Sequence, residues 1–182
     1  VKNTGWCVSE VARVYADGIM GGTSNTTFSP AGTLTRGQVV AMLYRMAGSP
    51  AVTANTTGFS DVDNGAYYAD AVKWASGKEI VGGYADGTFA PNRAITREQL
   101  AAILYRYAKA NGADISVGED TNLLSYKDFQ SVGQYAVPAL QWAVGSGLIG
   151  GTTNATLSPK GTATRAQAAV ILVRFVGMTA AK

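Results

Sequence analysis

Three arginines occupy a position where backbone electrostatics disfavour a cation. Arg36, Arg97 and Arg165 each follow a threonine that opens a helix-like run: LTRGQVVAMLYR, ITREQLAAILYR and ATRAQAAVILVR. The first helical position lies at the positive end of the helix dipole, at a cost to a cation of roughly 0.3–1 kcal/mol. A guanidinium repeated there three times is expected to have an anionic partner. Two kinds are open. One is a bound carboxylate or phosphate, held in bidentate fashion beside the helix-start amides. The other is an internal ion pair with Asp61 or Asp128. Helical spacing puts Arg36 on a face with Val40 and Leu43, Arg97 with Ala101 and Leu104, and Arg165 with Ala169 and Leu172. Each arginine thus caps a buried stripe.

Other triplets keep the same register. Gly22, Gly83 and Gly151, second members of Gly-Gly pairs, expose amides and permit close approach of a ligand. Trp6, Tyr67 and Tyr135 could stack on a sugar ring, with ordinary core packing as the alternative. Trp74 and Trp142 align with Arg13 and read as core. Thr35-x-x-Gln38, Thr96-x-x-Gln99 and Thr164-x-x-Gln167 match the capping box, so these residues set helix starts. Arg45, Arg106 and Arg174 come nine residues after the first arginines, about 180° around the helix. Near a C-terminus a cation is favourable, so these need no ligand. Asn25, Asp86 and Asn154 read as turn formers.

Several chemistries are excluded. The chain has no histidine and a single cysteine, Cys7, which removes histidine-based triads, multi-thiolate metal sites and internal disulfides. Asp61, Asp70, Asp86 and Asp128 do not hold one register across the chain, so no carboxylate pair suggests an enzyme. No cofactor or metal is expected. The formal charge of +3 is spread thinly, weak support for a nucleic-acid partner. No apolar run approaches the roughly 20 residues of a membrane span, and no signal-like cassette opens the sequence.

The elements that must position these residues come in threes. Offsets of 61 and 68 residues link the Thr-Arg pairs, the glycine pairs, Pro30, Pro91 and Pro159, and Phe28, Phe89 and Leu157. The repeats read as 1–48, 58–110 and 124–178 within one domain, 1–182. Polar stretches at 49–57 and 111–123 serve as linkers. With 47% hydrophobic and 15% charged residues, the chain can fill a core. Each repeat alone is too small to do so, and the three are expected to share one. In repeat 2, FSDV leads into a helix at 68–79 that stops at the glycine pair; a turn, Pro91 and a second helix follow. Repeat 1 lacks the equivalent of Phe59-Ser60-Asp61, so the natural chain is expected to continue upstream.

F-x-D-V, the aromatic before the first helix, Ile/Leu-Val-Gly-Gly, D-G-T-F-x-P and I-T-R-x-Q together resemble S-layer homology domains, over essentially the whole chain and three times. The resemblance implies a mainly α fold: a pseudo-threefold spindle of helix-loop-helix repeats around a central three-helix bundle. It implies an extracellular anchor on a bacterial cell wall, part of a larger surface protein, holding a cell-wall polysaccharide with pyruvylated sugars. It implies that Arg36, Arg97 and Arg165 grip the pyruvyl carboxylate between repeats. The chain departs from the family at Gln38, Gln99 and Gln167, where glutamate is common, and at Glu79, Leu157 and Ala163. The shortened repeat 1 is expected to leave the groove completed by its missing segment either defective or restored only by the upstream chain. A protein–protein or lattice-forming surface module is the alternative function.

Overall fold

The computed structural model describes residues 5–180, with side chains as far as Met178. Its described residues form six α-helices and no strand: α1 (Val8–Ala16), α2 (Arg36–Met46), α3 (Ala69–Gly77), α4 (Arg97–Ala110), α5 (Val137–Gly145) and α6 (Arg165–Ala180). The capping boxes form as the sequence predicts. Thr35, Thr96 and Thr164 accept from the backbone N–H of Gln38, Gln99 and Gln167, whose side chains accept from the cap amide in return. Pro138 falls in the first turn of α5, where its missing N–H is harmless.

The first helices end differently from the sequence prediction. The left-handed residue that closes them is Gly18, Glu79 or Gly147, with φ of 70°, 56° and 69°. These precede the glycine pairs by three residues, so the pairs are not helix caps. Repeat 2 alone places a side chain with a Cβ in this conformation, which glycine adopts without steric penalty.

The repeats interlock in a closed cycle. The Leu34 N–H donates to the Ala163 carbonyl (3.1 Å), Ala163 to Ile95 (3.1 Å) and Ile95 to Leu34 (2.8 Å). All three residues are fully buried, and these bonds satisfy amides that no helix or sheet would otherwise pair. Helix packing follows the same cycle. The first helix of each repeat packs on the second helix of the preceding one: α3 on α2, α5 on α4, and α1 on α6. Buried stripes that include Val40 and Leu43, Ala101 and Leu104, and Ala169 and Leu172 line the second helices. Trp74 and Trp142 are core, as predicted; Trp142 is fully buried and stacks edge-on against Tyr105 and Phe175. The 111–123 stretch is more than a linker: Gly118 lies against the Trp142 backbone, and the Thr121 carbonyl accepts from Gln141.

Candidate functional site

The three triplicated arginines are buried, 6–7% exposed, and within the chain their partners are carbonyl oxygens rather than carboxylates. Each reaches into the next repeat and donates to two backbone carbonyls. Arg36 Nε bonds Phe89 (2.9 Å) and Nη2 bonds Gly82 (3.1 Å). Arg97 bonds Leu157 (2.9 Å) and Gly150 (2.6 Å), and Arg165 bonds Phe28 (2.7 Å) and Gly21 (2.6 Å). Burial lowers the pKa of all three from the ordinary arginine value, yet a guanidinium stays charged in a protein. Carbonyl dipoles therefore stabilise these cations, helped by the Phe89 ring 4.7 Å from Arg36 and the Phe28 ring 4.5 Å from Arg165.

The internal ion pair is not formed: among the described residues, no carboxylate lies within ion-pair distance of Arg36, Arg97 or Arg165. Asp61 and Asp128 are used elsewhere. Asp61 accepts from the Phe89 and Ala90 amides (both 2.7 Å), and Asp128 from Leu157 (2.9 Å) and Ser158 (2.7 Å). The two acids are thus structural equivalents, a register hidden in the sequence by one extra residue in repeat 3. Nor are the helix-start amides available to a ligand. Arg36 and Gly37 donate to Arg93 and Pro91, Arg97 and Glu98 to Gly161 and Pro159, and Arg165 and Ala166 to Gly32 and Pro30.

A cleft nevertheless leads to each arginine, and each is assembled from all three repeats. One groove, about 360 Å3, joins Arg165 of repeat 3, Gly21, Gly22, Gln38 and Arg45 of repeat 1, and Tyr67 of repeat 2. A second, also about 360 Å3, joins Arg97, Gly150, Gly151, Gln167, Arg174 and Trp6. The third joins Arg36, Gly82, Gln99, Arg106 and Tyr135 but measures only about 40 Å3. We call them the Gly21, Gly150 and Gly82 grooves. The Gly21 groove, in the shortened repeat 1, is open, and the nearly closed one lies in repeat 2. No acidic residue is among those lining the two open grooves.

Trp6, Tyr67 and Tyr135 are 62%, 66% and 51% exposed, so core packing does not explain them. Tyr67 stands edge-on to Tyr68. Burial raises its pKa, as does Tyr68, against the opposing charge of Arg45. Tyr135 differs. Its hydroxyl donates to Glu98 (3.0 Å), and burial, together with that hydrogen bond and charge, raises its pKa.

The glycines divide by role. A Cβ at Gly22, Gly83 or Gly151 would collide with carbonyls of its own turn, and at Gly83 with the Phe59 ring too. The second glycine of each pair therefore has a packing reason to be glycine, and Gly83 does not line its groove. The first glycine supplies the carbonyl that holds arginine, and a Cβ there meets nothing within 4 Å.

Two sets of lining residues were missed in the sequence. Arg45, Arg106 and Arg174, set aside as satisfied at helix ends, are exposed and line the grooves. They do lie opposite the first arginines on each helix; the opposite face simply borders the neighbouring groove. Arg45 and Arg174 also donate to the carbonyls of Ile19 and Gly147 (both 3.3 Å). Gln38 and Gln167 cap their helices with Oε1, which leaves the Nε2 donors without a partner among the described residues and in the groove linings. Of the turn formers, Asp86 accepts from Thr88 as predicted (3.0 Å), whereas Ser24 and Thr153 supply that oxygen where Asn25 and Asn154 were expected to.

The family profile of the S-layer homology domain matches residues 1–40, 58–101 and 125–169. An endoglucanase from Bacillus sp. (strain KSM-635) is 36% identical over 94% of this chain and 18% of its own length. A cellulosome-anchoring protein from Acetivibrio thermocellus is 27% identical over 81% of the chain and 33% of its own length. The surface-layer 125 kDa protein of Lysinibacillus sphaericus is 26% identical over 96% of the chain and 14% of its own length. The chain spans less than a fifth of the endoglucanase, so the likeness falls on a small part of that protein. With the profile matched over most of its length, the chain belongs to the S-layer homology domain family, non-catalytic anchoring modules of the bacterial cell surface.

Proposed function

We propose that the chain holds an acidic, pyruvate-bearing saccharide of a secondary cell-wall polymer in the Gly21 and Gly150 grooves, and so retains a larger surface protein on the wall. The observation that carries this reading is the pairing, in each open groove, of two arginines with an exposed aromatic and no lining carboxylate. An anion entering meets a positive field undiluted by acids. The exposed Arg45 or Arg174, held to a carbonyl through Nη1 alone, presents its remaining guanidinium donors to a carboxylate, a geometry that lysine cannot copy. The buried Arg165 or Arg97 fixes the groove floor and adds its charge from behind. The Gln38 or Gln167 amide donates to a sugar hydroxyl or acetamido oxygen, and Tyr67 or Trp6 offers a flat apolar face to the ring.

Each groove has a volume of the order found for small-molecule sites. Two grooves on one repetitive polymer raise retention by effective concentration, provided the chain of sugars spans both. The test is co-sedimentation of the protein with purified, protein-free cell wall, before and after mild acid removal of pyruvate ketals. Binding to the intact wall and its loss after the treatment is the expected result. Equal binding to both walls overturns the acidic-saccharide reading. Binding only to walls that keep their surface proteins favours the protein–protein alternative.

A further inference from the structure

We propose that the Gly82 groove is shut by its own side chains, so that the domain engages its polymer at two sites. This rests on the saccharide reading above and adds its valency. At about 40 Å3 the Gly82 groove has room for a water or two but not for a sugar. The cause lies in residues at which repeat 2 departs from both other repeats. Tyr84 stands where the others have Thr23 and Thr152, Arg93 where they have Gly32 and Gly161, and Glu98 where they have Gly37 and Ala166. All three departures replace a small residue by a large one, and all three act on the same groove.

Thr23 and Thr152 fold back on their own turns, where their hydroxyls pair with Ser29 (2.7 Å) and Ser158 (2.8 Å). The residue of repeat 2 aligned with Ser29 and Ser158 is Ala90, which has no hydroxyl to hold a partner. The Tyr84 ring instead lies 5.1 Å from the Arg36 guanidinium, with Arg93 5.6 Å from the same ring. Its hydroxyl accepts from Gln99 Nε2 (3.2 Å), the donor that the open grooves leave for a ligand. Glu98, 3% exposed, completes the closure. It accepts from the Tyr135 hydroxyl (3.0 Å), the Gly133 amide (3.0 Å) and Lys160 Nζ (2.6 Å). The aromatic that is free in the open grooves is thereby pinned to a buried carboxylate. Glutamine donor, tyrosine hydroxyl and space are all consumed internally.

Isothermal titration of the chain with a methyl hexosaminide carrying a 4,6-linked pyruvate ketal reads the number of sites. Two sites per chain are expected in the unaltered protein. Transplanting the plug, Thr23→Tyr with Thr152→Tyr, is expected to abolish binding. Opening the third groove with Tyr84→Thr, Arg93→Gly and Glu98→Ala is expected to raise the count to three. Three sites in the unaltered protein, or one surviving in the double tyrosine variant, overturns the proposal while leaving the saccharide reading intact. A count that stays at two in a folded opened variant overturns the role of these residues. If the opened variant does not fold, the double tyrosine variant decides alone. No binding to the unaltered protein overturns the saccharide reading, and this proposal with it.

Discussion

Arg36 and Arg45 leave opposite faces of α2 and end in different grooves, Arg36 against Gly82 and Arg45 beside Gly21. The same relation links Arg97 with Arg106 and Arg165 with Arg174. Each groove therefore holds one buried and one exposed guanidinium from different helices, and the two have different work. The exposed one can be removed without disturbing packing, since surface changes of this kind usually alter stability by no more than about 0.5 kcal/mol. Arg45→Ala is expected to leave the melting temperature nearly unchanged and to weaken the Gly21 groove about 10- to 100-fold, from the loss of a charge-assisted hydrogen bond. Titration beside a thermal melt separates the two effects. An unchanged affinity at both sites would show that Arg45 does not touch the ligand.

Removing a buried arginine acts on the fold first. Arg97→Ala strands the carbonyls of Leu157 and Gly150 at the junction of repeats 2 and 3. Hydrogen bonds to a charged group contribute roughly 1.5–3 kcal/mol each, so a destabilisation of about 3 kcal/mol is expected in urea denaturation. Lysine has one nitrogen where the geometry needs two, and Arg97→Lys is expected to recover only part of the loss. A fully stable Arg97→Ala would mean that the carbonyl contacts contribute little.

Glu79 is the one left-handed closing residue of the three first helices that is not glycine. A side chain with a Cβ costs about 1–2 kcal/mol in this conformation, and the unfolded-state entropy of glycine offsets part of that. Glu79→Gly is therefore expected to stabilise the domain by about 0.5–1 kcal/mol, read as a higher urea midpoint at constant m-value. A lower midpoint would show that the Glu79 side chain makes a compensating contact.

How much of this was legible in the sequence depended on whether the partner lay within a repeat or across one. The capping boxes, the register of the triplets and the core role of Trp142 follow from local spacing, and all three appear in the structure. The arginine partners could not be found that way. Sequence inspection proposes side chains as partners, but the groups that hold Arg36 are carbonyls 46 and 53 residues away, and every residue type has a carbonyl. The second arginines were lost for a related reason: a helix face that is opposite on one helix becomes adjacent once a neighbouring repeat closes the cycle. The plug at Tyr84 did leave a trace, a tyrosine aligned with two threonines, which gains meaning only beside Gln99 and Arg36.

Acid should loosen the turn that Asp128 holds within repeat 3. Burial pushes the Asp128 carboxyl up, but hydrogen bonds from the Leu157 and Ser158 amides and the charge of Arg97 outweigh it and leave its pKa below the ordinary aspartate value. A depressed folded-state pKa contributes stability that is complete above the unfolded value of about 4. That contribution is lost as pH falls through the folded value. Melting temperatures measured from pH 7 down to pH 2 should decline most steeply below about pH 4. Asp128→Asn should start lower and fall less over that range. Parallel acid limbs in the two proteins would show that other carboxylates dominate.

The glycine pair offers the sharpest separation of fold from binding, because adjacent residues are expected to behave in opposite ways. At Gly151 an added methyl group meets the Thr156 carbonyl at 2.7 Å and the Thr153 carbonyl closer still. Backbone oxygens in a tight turn cannot step aside as the end of a flexible side chain can, so Gly151→Ala is expected to cost about 1–3 kcal/mol, as overpacking typically does. At Gly150 the same methyl meets nothing within 4 Å, and φ there is not in the left-handed range. Gly150→Ala is expected to fold with near-normal stability, and because Gly150 lines the groove its methyl group takes space a ligand would use. Weakened saccharide binding at one site in a fully stable Gly150→Ala protein would tie the groove to the ligand without touching a single charge. Normal binding in that variant would move the sugar away from the glycine edge, toward Trp6 and Arg174.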